Sequence, residues 1–298
     1  MSTAAEPRGA SLPLPGGREG ATVRVHPLLT GTVEGAKSWF EREPGRLAGL
    51  RALGIGAEMV EVPVPAFLVE HPGAGPFLID TGLHGSVAVD IRQNFGRIAS
   101  LAFKNPQMTA SQAAVAQLRE RGITPADVGV VLMTHMHVDH ASAIADFPSS
   151  TFVMSAREWR AATEEGVLSG YVKRQFDHAF DYRTIDFDAP EVGSIATFGR
   201  AVDIFGDGSV VMAYTPGHTH GHCSVALRLR DRDLLVLGDA AYTERTFAGD
   251  ALPHKMADEH RFKRSLRELQ LYVRESPGTV VVPGHDLAAW RRLESSYE

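Results

Sequence analysis

The chain has little cysteine and no long apolar run. Cys223 is the single cysteine among 298 residues, which excludes an intramolecular disulfide framework and fits a reducing compartment. No apolar run approaches the roughly 20 residues that span a bilayer. Residues 1–20 also lack the apolar core of a signal peptide. We therefore expect a cytoplasmic protein.

An excess of basic residues is lacking as well. The chain has 30 Lys and Arg against 36 Asp and Glu, a formal net charge of -6. This charge gives no electrostatic reason to expect nucleic acid or an anionic membrane as a partner. A hydrophobic content of 44% and a charged content of 22% are typical of a soluble protein with a sizeable core.

The first twenty residues differ in composition from the rest. Residues 1–20 are rich in Ala, Pro, Gly and Ser, which predicts a flexible N-terminal tail. No linker-like change in composition follows, so we expect residues 21–298 to form a single domain.

Three histidines and an aspartate are concentrated in one short stretch, His135-Met136-His137-Val138-Asp139-His140. The apolar run at 128–133 precedes it, so the stretch is expected at the C-terminal end of a buried strand. His135 and His137 are two residues apart and point the same way on an extended backbone. Imidazole and carboxylate suit zinc or another first-row metal, and four donors this close suggest more than one ion.

Three other apolar strands also end in turns that carry His or Asp. The strand at 210–214 leads to His218, the strand at 233–237 to Asp239, and the strand at 279–282 to His285. With the first motif, this makes seven metal-type ligands on convergent strand ends. Strands in two groups, each interleaved with helices, predict an α/β fold of two sheets with helices outside.

Several segments leave alternatives open. Asp80 closes a predicted strand, where it either orients metal ligands or only forms a turn. Residues 85–106 read as a core-facing helix or as an apolar wall over a pocket. Residues 166–190 show no clean periodicity and are expected to be a long surface excursion.

Other elements have clearer patterns. We predict helices at 111–121, at 156–165 with Trp159 in the core, and over Phe262, Leu266, Leu269 and Val273. Residues 202–214 predict a hairpin that turns at Gly206-Asp207-Gly208, and residues 224–237 predict a second hairpin.

These motifs resemble the metallo-β-lactamase fold superfamily. The matching runs appear in that family's order over roughly residues 55–290: Asp80-Thr81-Gly82, the HxHxDH run, Thr215-Pro216-Gly217-His218, Leu237-Gly238-Asp239 and Gly284-His285-Asp286. The resemblance implies a four-layered αβ/βα sandwich of two mixed sheets, with two metals in a cleft at the sheet edges.

The resemblance also implies which residues bind metal. One zinc would be held by His135, His137 and His218, and the second by Asp139, His140 and His285. Asp239 would bridge the two ions. Iron, manganese or cobalt could replace zinc. His220 and His222 look by position like supporting residues rather than ligands.

Within the superfamily, the chain is similar to the N-acyl homoserine lactone lactonases. Tyr242 lies three residues after Asp239, where that family keeps a tyrosine that contacts the substrate carbonyl. A packed core tyrosine is the alternative interpretation of Tyr242. The run Ala141-Ser142-Ala143 departs from the usual Ala-Gly-Gly, and His220 replaces the usual proline.

The resemblance implies a hydrolase that opens a lactone ring by attack of a metal-bridging hydroxide. Asp139 and Tyr242 would be catalytic, Asp139 passing a proton to the departing alkoxide and Tyr242 contacting the carbonyl. A homodimer is an expectation that rests on resemblance alone. The alternatives are an organophosphate or aryl-ester hydrolase, a glyoxalase II-like thioesterase and, last, a catalytically silent metal-binding relative.

Overall fold

A computed structural model describes residues 6–43, 45–52 and 54–298. The larger sheet has eight strands, in the order β1-β8-β7-β6-β4-β3-β2-β5. Their bounds are Arg8–Gly9 (β1), Arg24–Ala36 (β2), Met59–His71 (β3), Gly75–Ile79 (β4), Lys104–Gln107 (β5), Val130–Leu132 (β6), Thr151–Ser155 (β7) and Asp181–Ile185 (β8). Strands β4, β6, β7 and β8 pair in parallel and β2, β3 and β4 pair antiparallel, so the sheet is mixed.

The smaller sheet has five strands in the order β13-β12-β11-β10-β9. Their bounds are Ala201–Asp203 (β9), Val210–Tyr214 (β10), Cys223–Arg228 (β11), Asp233–Gly238 (β12) and Val280–Pro283 (β13). Strands β9 to β12 form an antiparallel meander, which confirms both predicted hairpins. β13 joins β12 in parallel after a long helical crossover.

The helices of the described residues are mostly short. They are Lys37–Phe40 (α1), Ala48–Ala52 (α2), Ile91–Ala99 (α3), Ala114–Glu120 (α4), Ala156–Glu164 (α5), Glu244–Ala248 (α6), Glu259–Glu275 (α7) and Leu287–Trp290 (α8). The predicted helices at 111–121, at 156–165 and around Leu266 correspond to α4, α5 and α7, and Trp159 is buried as expected. None of the helices in the described ranges is both long and apolar enough to span a membrane.

The two sheets face each other across a shared apolar core. Val25 and Phe67 of the larger sheet belong to the same buried cluster as Val225 and Val236 of the smaller sheet. The outer face of the larger sheet is covered by α4 and α5, and the outer face of the smaller sheet by α7. This order of layers confirms the αβ/βα sandwich, in which the strand ends of both sheets border one cleft.

The expected flexible tail is wrong for residues 6–20. β1 pairs in parallel with β8, and Leu12 and Leu14 pack against the core between the sheets. Backbone bonds from Ala10 N to Thr184 O and from Leu14 N to Ile204 O fix the segment further. Tertiary contacts, which composition does not reveal, therefore override a loop-like sequence. Residues 1–5 lie outside the described residues.

The expected surface excursion at 166–190 is also wrong. The segment contains β8, which completes the parallel part of the larger sheet, and Tyr171, Phe176 and Tyr182 are buried. Short turns separate the aromatic residues, so no helical or strand period is visible in the sequence.

Residues 85–106 combine both interpretations offered for them. α3 breaks at Gly96, where φ is 75°, and Phe95 packs in the same buried cluster as Val138 and Tyr242. Ile98 and Leu101 on the same segment are exposed. The segment is thus an apolar wall beside residues of the metal motifs. β5, which begins inside this segment at Lys104, was not predicted.

Candidate metal centre

Four strand ends deliver the seven donor residues to one cleft. β6 leads directly into residues 134–140, β10 into the turn with His218, β12 into Asp239, and β13 into His285. β6 belongs to the larger sheet and the other three strands to the smaller sheet. The centre therefore depends on the packing of both sheets.

The first cluster contains three imidazoles and one carboxylate. His218 Nε2 lies 2.9 Å from His137 Nδ1, 3.3 Å from His135 Nε2 and 3.2 Å from Asp239 Oδ2. All four donor atoms lie within 4.8 Å of one another. Three ring nitrogens and an oxygen around one point match the tetrahedral ligand sets that bind zinc.

The second cluster contains Asp139, His140 and His285. Asp139 Oδ2 lies 3.5 Å from His285 Nε2 and 3.7 Å from His140 Nε2. Asp239 Oδ1 lies 3.3 Å from His285 Nε2 and 3.4 Å from His140 Nε2. Asp239 therefore presents one carboxylate oxygen to each cluster.

The electrostatics of the two clusters differ. Burial lowers the pKa of His137 to about 4 and places the pKa values of His135 and His218 well below the ordinary range. Burial also acts on His140, but the charges of nearby aspartates outweigh it and raise its pKa. Neutral imidazole is the form that binds a metal. The three histidines of the first cluster are therefore already in the protonation state that binds a cation.

Unpartnered atoms mark the place for positive charge. Among the described residues, His140 Nε2 and Asp239 Oδ1 are buried without a hydrogen-bond partner. Unpaired buried polar atoms are costly, and a cation between them would remove that cost. Both clusters thus fit a divalent ion in charge and donor chemistry.

Asp80 orients His140 of the second cluster. Of the two roles offered for Asp80, a residue that orients a metal ligand or only a turn former, the structure supports the first. Its Oδ2 lies 2.8 Å from His140 Nδ1 and accepts a 2.7 Å bond from Thr134 Oγ1, and its Oδ1 accepts from Thr134 N at 2.8 Å. With Nδ1 fixed on Asp80, His140 turns Nε2 toward the cleft. A carboxylate behind a ligating histidine fixes the ring and its tautomer.

The two extra histidines of the third motif have separate places. His222 is buried, and its Nε2 accepts a 2.9 Å bond from Asp239 N while its Nδ1 lies 2.9 Å from Thr215 Oγ1. His222 therefore supports the backbone of Asp239. His220 is exposed, and its backbone carbonyl accepts from Tyr214 Oη. Neither belongs to a donor cluster.

Tyr242 lies between the two clusters. Its hydroxyl is 3.0 Å from His218 Nδ1, and its ring packs edge-on against Phe40 and beside His285. Burial, reinforced by Asp239 and Asp139, raises the pKa of Tyr242 well above its ordinary value, so the hydroxyl stays protonated. The residue is both packed and placed at the centre.

Sequence reasoning missed one polar residue of this region, Glu158 on α5. It is fully buried and accepts bonds from Met136 N and Thr219 Oγ1. Its position in the sequence indicated that it would be buried. Glu158, Ala161 and Ala162 form an i, i+3, i+4 set on the core face of a predicted helix.

Two sheets between helices, with seven His and Asp donors at one edge, define the class of metallo-β-lactamase proteins. Residues 59–285 match the family model described as Metallo-beta-lactamase superfamily. The chain belongs to this superfamily, and an identity of 35% to an N-acyl homoserine lactonase over 80% of its length places it, within the superfamily, in the family of the N-acyl homoserine lactonases. The fold and the two clusters imply a dinuclear metal site.

Similar proteins place the chain in that family. It is 35% identical over 241 residues to the N-acyl homoserine lactonase AttM of Azorhizobium caulinodans, covering 80% of this chain and 86% of that protein. It is 27% identical to the N-acyl homoserine lactonase AiiA of Bacillus thuringiensis subsp. kurstaki, covering 77% of this chain and 84% of the relative.

Solved structures agree in fold. An N-acyl homoserine lactone hydrolase, with the product N-hexanoyl-L-homoserine bound at its catalytic metal center, superposes with a TM-score of 0.75 at 22% identity, covering 92% of this chain and 97% of that one. A probable metal-dependent hydrolase from Staphylococcus aureus superposes with a TM-score of 0.65 at 17% identity, covering 89% of each chain. The shared fold alone does not select a substrate.

Proposed function

We propose that this protein is a dinuclear metal hydrolase that opens the lactone ring of N-acyl homoserine lactones, the signals of bacterial quorum sensing. One observation carries the proposal. All seven donor residues of the matching motifs meet in two clusters, in a chain 35% identical to a lactonase of that name.

The ligand assignment follows the two clusters. His135, His137 and His218 would hold one cation, Asp139, His140 and His285 the other, and Asp239 would serve both. We propose zinc, since imidazole and carboxylate donors suit it, although iron, manganese and cobalt accept the same ligands. When bound, the cations would supply a water of lowered pKa and a Lewis acid.

Asp139 is the candidate proton carrier. Its Oδ2 faces His140 and His285 at 3.7 and 3.5 Å, and the residue is buried in the cleft. A carboxylate there is within reach of both the attacking oxygen and the departing ring oxygen of a lactone. It would take the proton from the first and give it to the second.

Tyr242 is the candidate hydrogen-bond donor to the substrate carbonyl. If His218 directs Nε2 at a cation, its Nδ1 carries the proton and donates to the Tyr242 hydroxyl 3.0 Å away. The tyrosine O–H proton then remains free. A buried donor aimed at a developing oxyanion stabilises the transition state for ring opening.

A substrate panel tests the proposal. Zinc-loaded protein is given N-hexanoyl homoserine lactone, simple γ- and δ-lactones, S-lactoylglutathione and paraoxon. A pH indicator detects the proton that lactone opening releases. We expect turnover of the acyl homoserine lactone and inactivation by a chelator. Strong turnover of the thioester or the phosphotriester, with none of any lactone, would overturn the assignment.

Three further proposals concern the whole molecule. We propose a single domain that includes residues 6–20 together with 21–298, a cytoplasmic location and a homodimer. The common core of the two sheets supports the first. Limited proteolysis tests the single domain, cell fractionation tests the location, and light scattering tests the homodimer.

A further inference from the structure

One charged side chain lies outside both donor clusters and yet contacts the loops that carry the first of them. Glu158, in the first turn of α5, is 0% exposed. Ionisable groups are rarely buried so completely unless they are paired or hydrogen-bonded. Its contacts therefore indicate why it is there.

The carboxylate of Glu158 spans two separate loops. Its Oε1 accepts a 2.9 Å bond from Met136 N, between His135 and His137. Its Oε2 accepts a 2.6 Å bond from Thr219 Oγ1, next to His218. Each histidine of the first cluster is therefore next in sequence to a residue that is hydrogen-bonded to Glu158.

Two more donors complete the arrangement. Tyr171 Oη donates to Glu158 Oε1 at 3.2 Å, and the Tyr171 ring packs on the His137 ring with centroids 5.0 Å apart. The backbone N–H of Gly221 is a further donor group near the carboxylate and favours its charged form. All four groups are donors, which a carboxylate satisfies and an amide or an apolar side chain does not.

Close packing holds α5 in this place. A Cβ on Gly221 would lie 2.1 Å from Glu158 N, so the loop and the start of the helix are in backbone contact. The start of α5, from which the Glu158 side chain extends, is therefore held against the loop that follows His218.

We infer that Glu158 is a positioning residue that sets the spacing of His135, His137 and His218 and so prepares the first cluster for its cation. It ties the 134–140 loop to the 215–222 loop across the junction of the two sheets. Outer hydrogen bonds of this kind typically change metal affinity by about 10–100-fold. The second cluster, which relies on Asp80, does not depend on Glu158.

Cobalt titration tests this inference without using a substrate. Co²⁺ is added to metal-free wild type, Glu158→Gln and Glu158→Met, and the affinity and visible absorption of each site are followed with a competing chelator. Glu158→Gln should weaken one site by about 10-fold and alter its absorption band, and Glu158→Met should weaken the same site by about 100-fold. The other site should keep its affinity.

Matched variants separate positioning from general stability. Glu164→Gln changes an exposed residue of the same helix and should bind Co²⁺ as wild type does. Thr219→Val removes one of the hydroxyl donors and should weaken the same site, whereas Thr219→Ser keeps the hydroxyl and should restore the affinity. These two variants carry the test if Glu158→Met fails to fold.

Two outcomes would overturn the inference. One is wild-type affinity and absorption at both sites in Glu158→Gln. The other is an equal loss at both sites, because that would indicate a merely structural role. The lactonase proposal fails separately, in the substrate panel, since this titration contains only protein, Co²⁺ and chelator.

Discussion

Two buried His–Asp arrangements in this molecule differ in how their atoms are satisfied. At the end of β3, His71 Nδ1 accepts from Gly73 N and Ala74 N at 3.1 and 3.0 Å, and its Nε2 lies 3.0 Å from both Asp207 Oδ2 and Ser209 Oγ. Both ring nitrogens have partners. This arrangement is a cross-link between two turns and leaves no place for an ion.

The metal centre is built from the same residue types with the opposite result. Nitrogens of three histidines point at one another, while His140 Nε2 and Asp239 Oδ1 are buried without partners among the described residues. A buried histidine beside an aspartate is therefore not by itself evidence of a metal site. Donor atoms that converge on one point and have no hydrogen-bond partner are such evidence.

Asp239→Asn should have the largest effect, because each of its oxygens faces one cluster. An amide nitrogen carries hydrogens and cannot replace the second oxygen. We expect metal content to fall from two ions per chain to one or fewer, and kcat/KM for a lactone to fall about 10³-fold, roughly 4 kcal/mol.

Elemental analysis and the pH-indicator assay measure both effects. Asp207→Asn is the matched control, since it makes the same change in the arrangement whose atoms are paired. It should keep full metal content and activity. If Asp239→Asn retains two ions, the bridging assignment is wrong.

Asp80→Asn should weaken the second cluster selectively. Asp80 has a φ of 55°, a conformation that asparagine tolerates well, so the change removes charge without adding backbone strain. His140 loses its orienting carboxylate, and we expect metal affinity at that site to fall about 10–100-fold. Chelator competition measures each site, and an equal loss at the first cluster would contradict the separation of the two.

Tyr242→Phe should reduce kcat/KM by about 1–3 kcal/mol, roughly 5- to 150-fold, while metal content is kept. The reason is loss of a buried hydroxyl beside His218. Tyr182→Phe is the control, because its equally buried hydroxyl donates to Phe176 O instead. An unchanged kcat/KM would leave Tyr242 as a packed core residue.

The sequence predicted the centre better than its surroundings. Strands ending in His135, His218, Asp239 and His285 were identifiable because apolar runs stop at polar turns, and the parallel pairing of β12 with β13 brings two of those ends together. Local pattern was sufficient there. Local pattern could not show that Asp80 contacts His140, sixty residues away. It offered the orientation of metal ligands only as one of two roles for Asp80.

Features that depend on distant pairing were missed. β8 lies between β7 and β1, and β1 belongs to the larger sheet because β8 is beside it. The helical period places Glu158 on the core face of α5, but its partners are identified only where α5 meets the loop at Gly221. A short polar strand carries no period, and the partners of a single acidic residue lie far away in the sequence, so only the assembled fold gives either one a role.

The smallest predicted effect concerns the paired arrangement and its response to acid. Burial raises the pKa of Asp207, but bonds from Ser209 and from Arg18 N outweigh it and lower the pKa from 3.8 to about 2. A carboxylate with a lowered pKa stabilises the fold above pH 3.8, and this stabilisation is lost as the pH falls toward 2. Asp207→Asn should therefore cost about 2 kcal/mol at pH 7, and less at pH 3, by urea unfolding at both values. Activity at pH 7 should not change, because no donor to either cluster is involved.

A stability difference as large at pH 3 as at pH 7 would show that packing, and not charge, gives Asp207 its role.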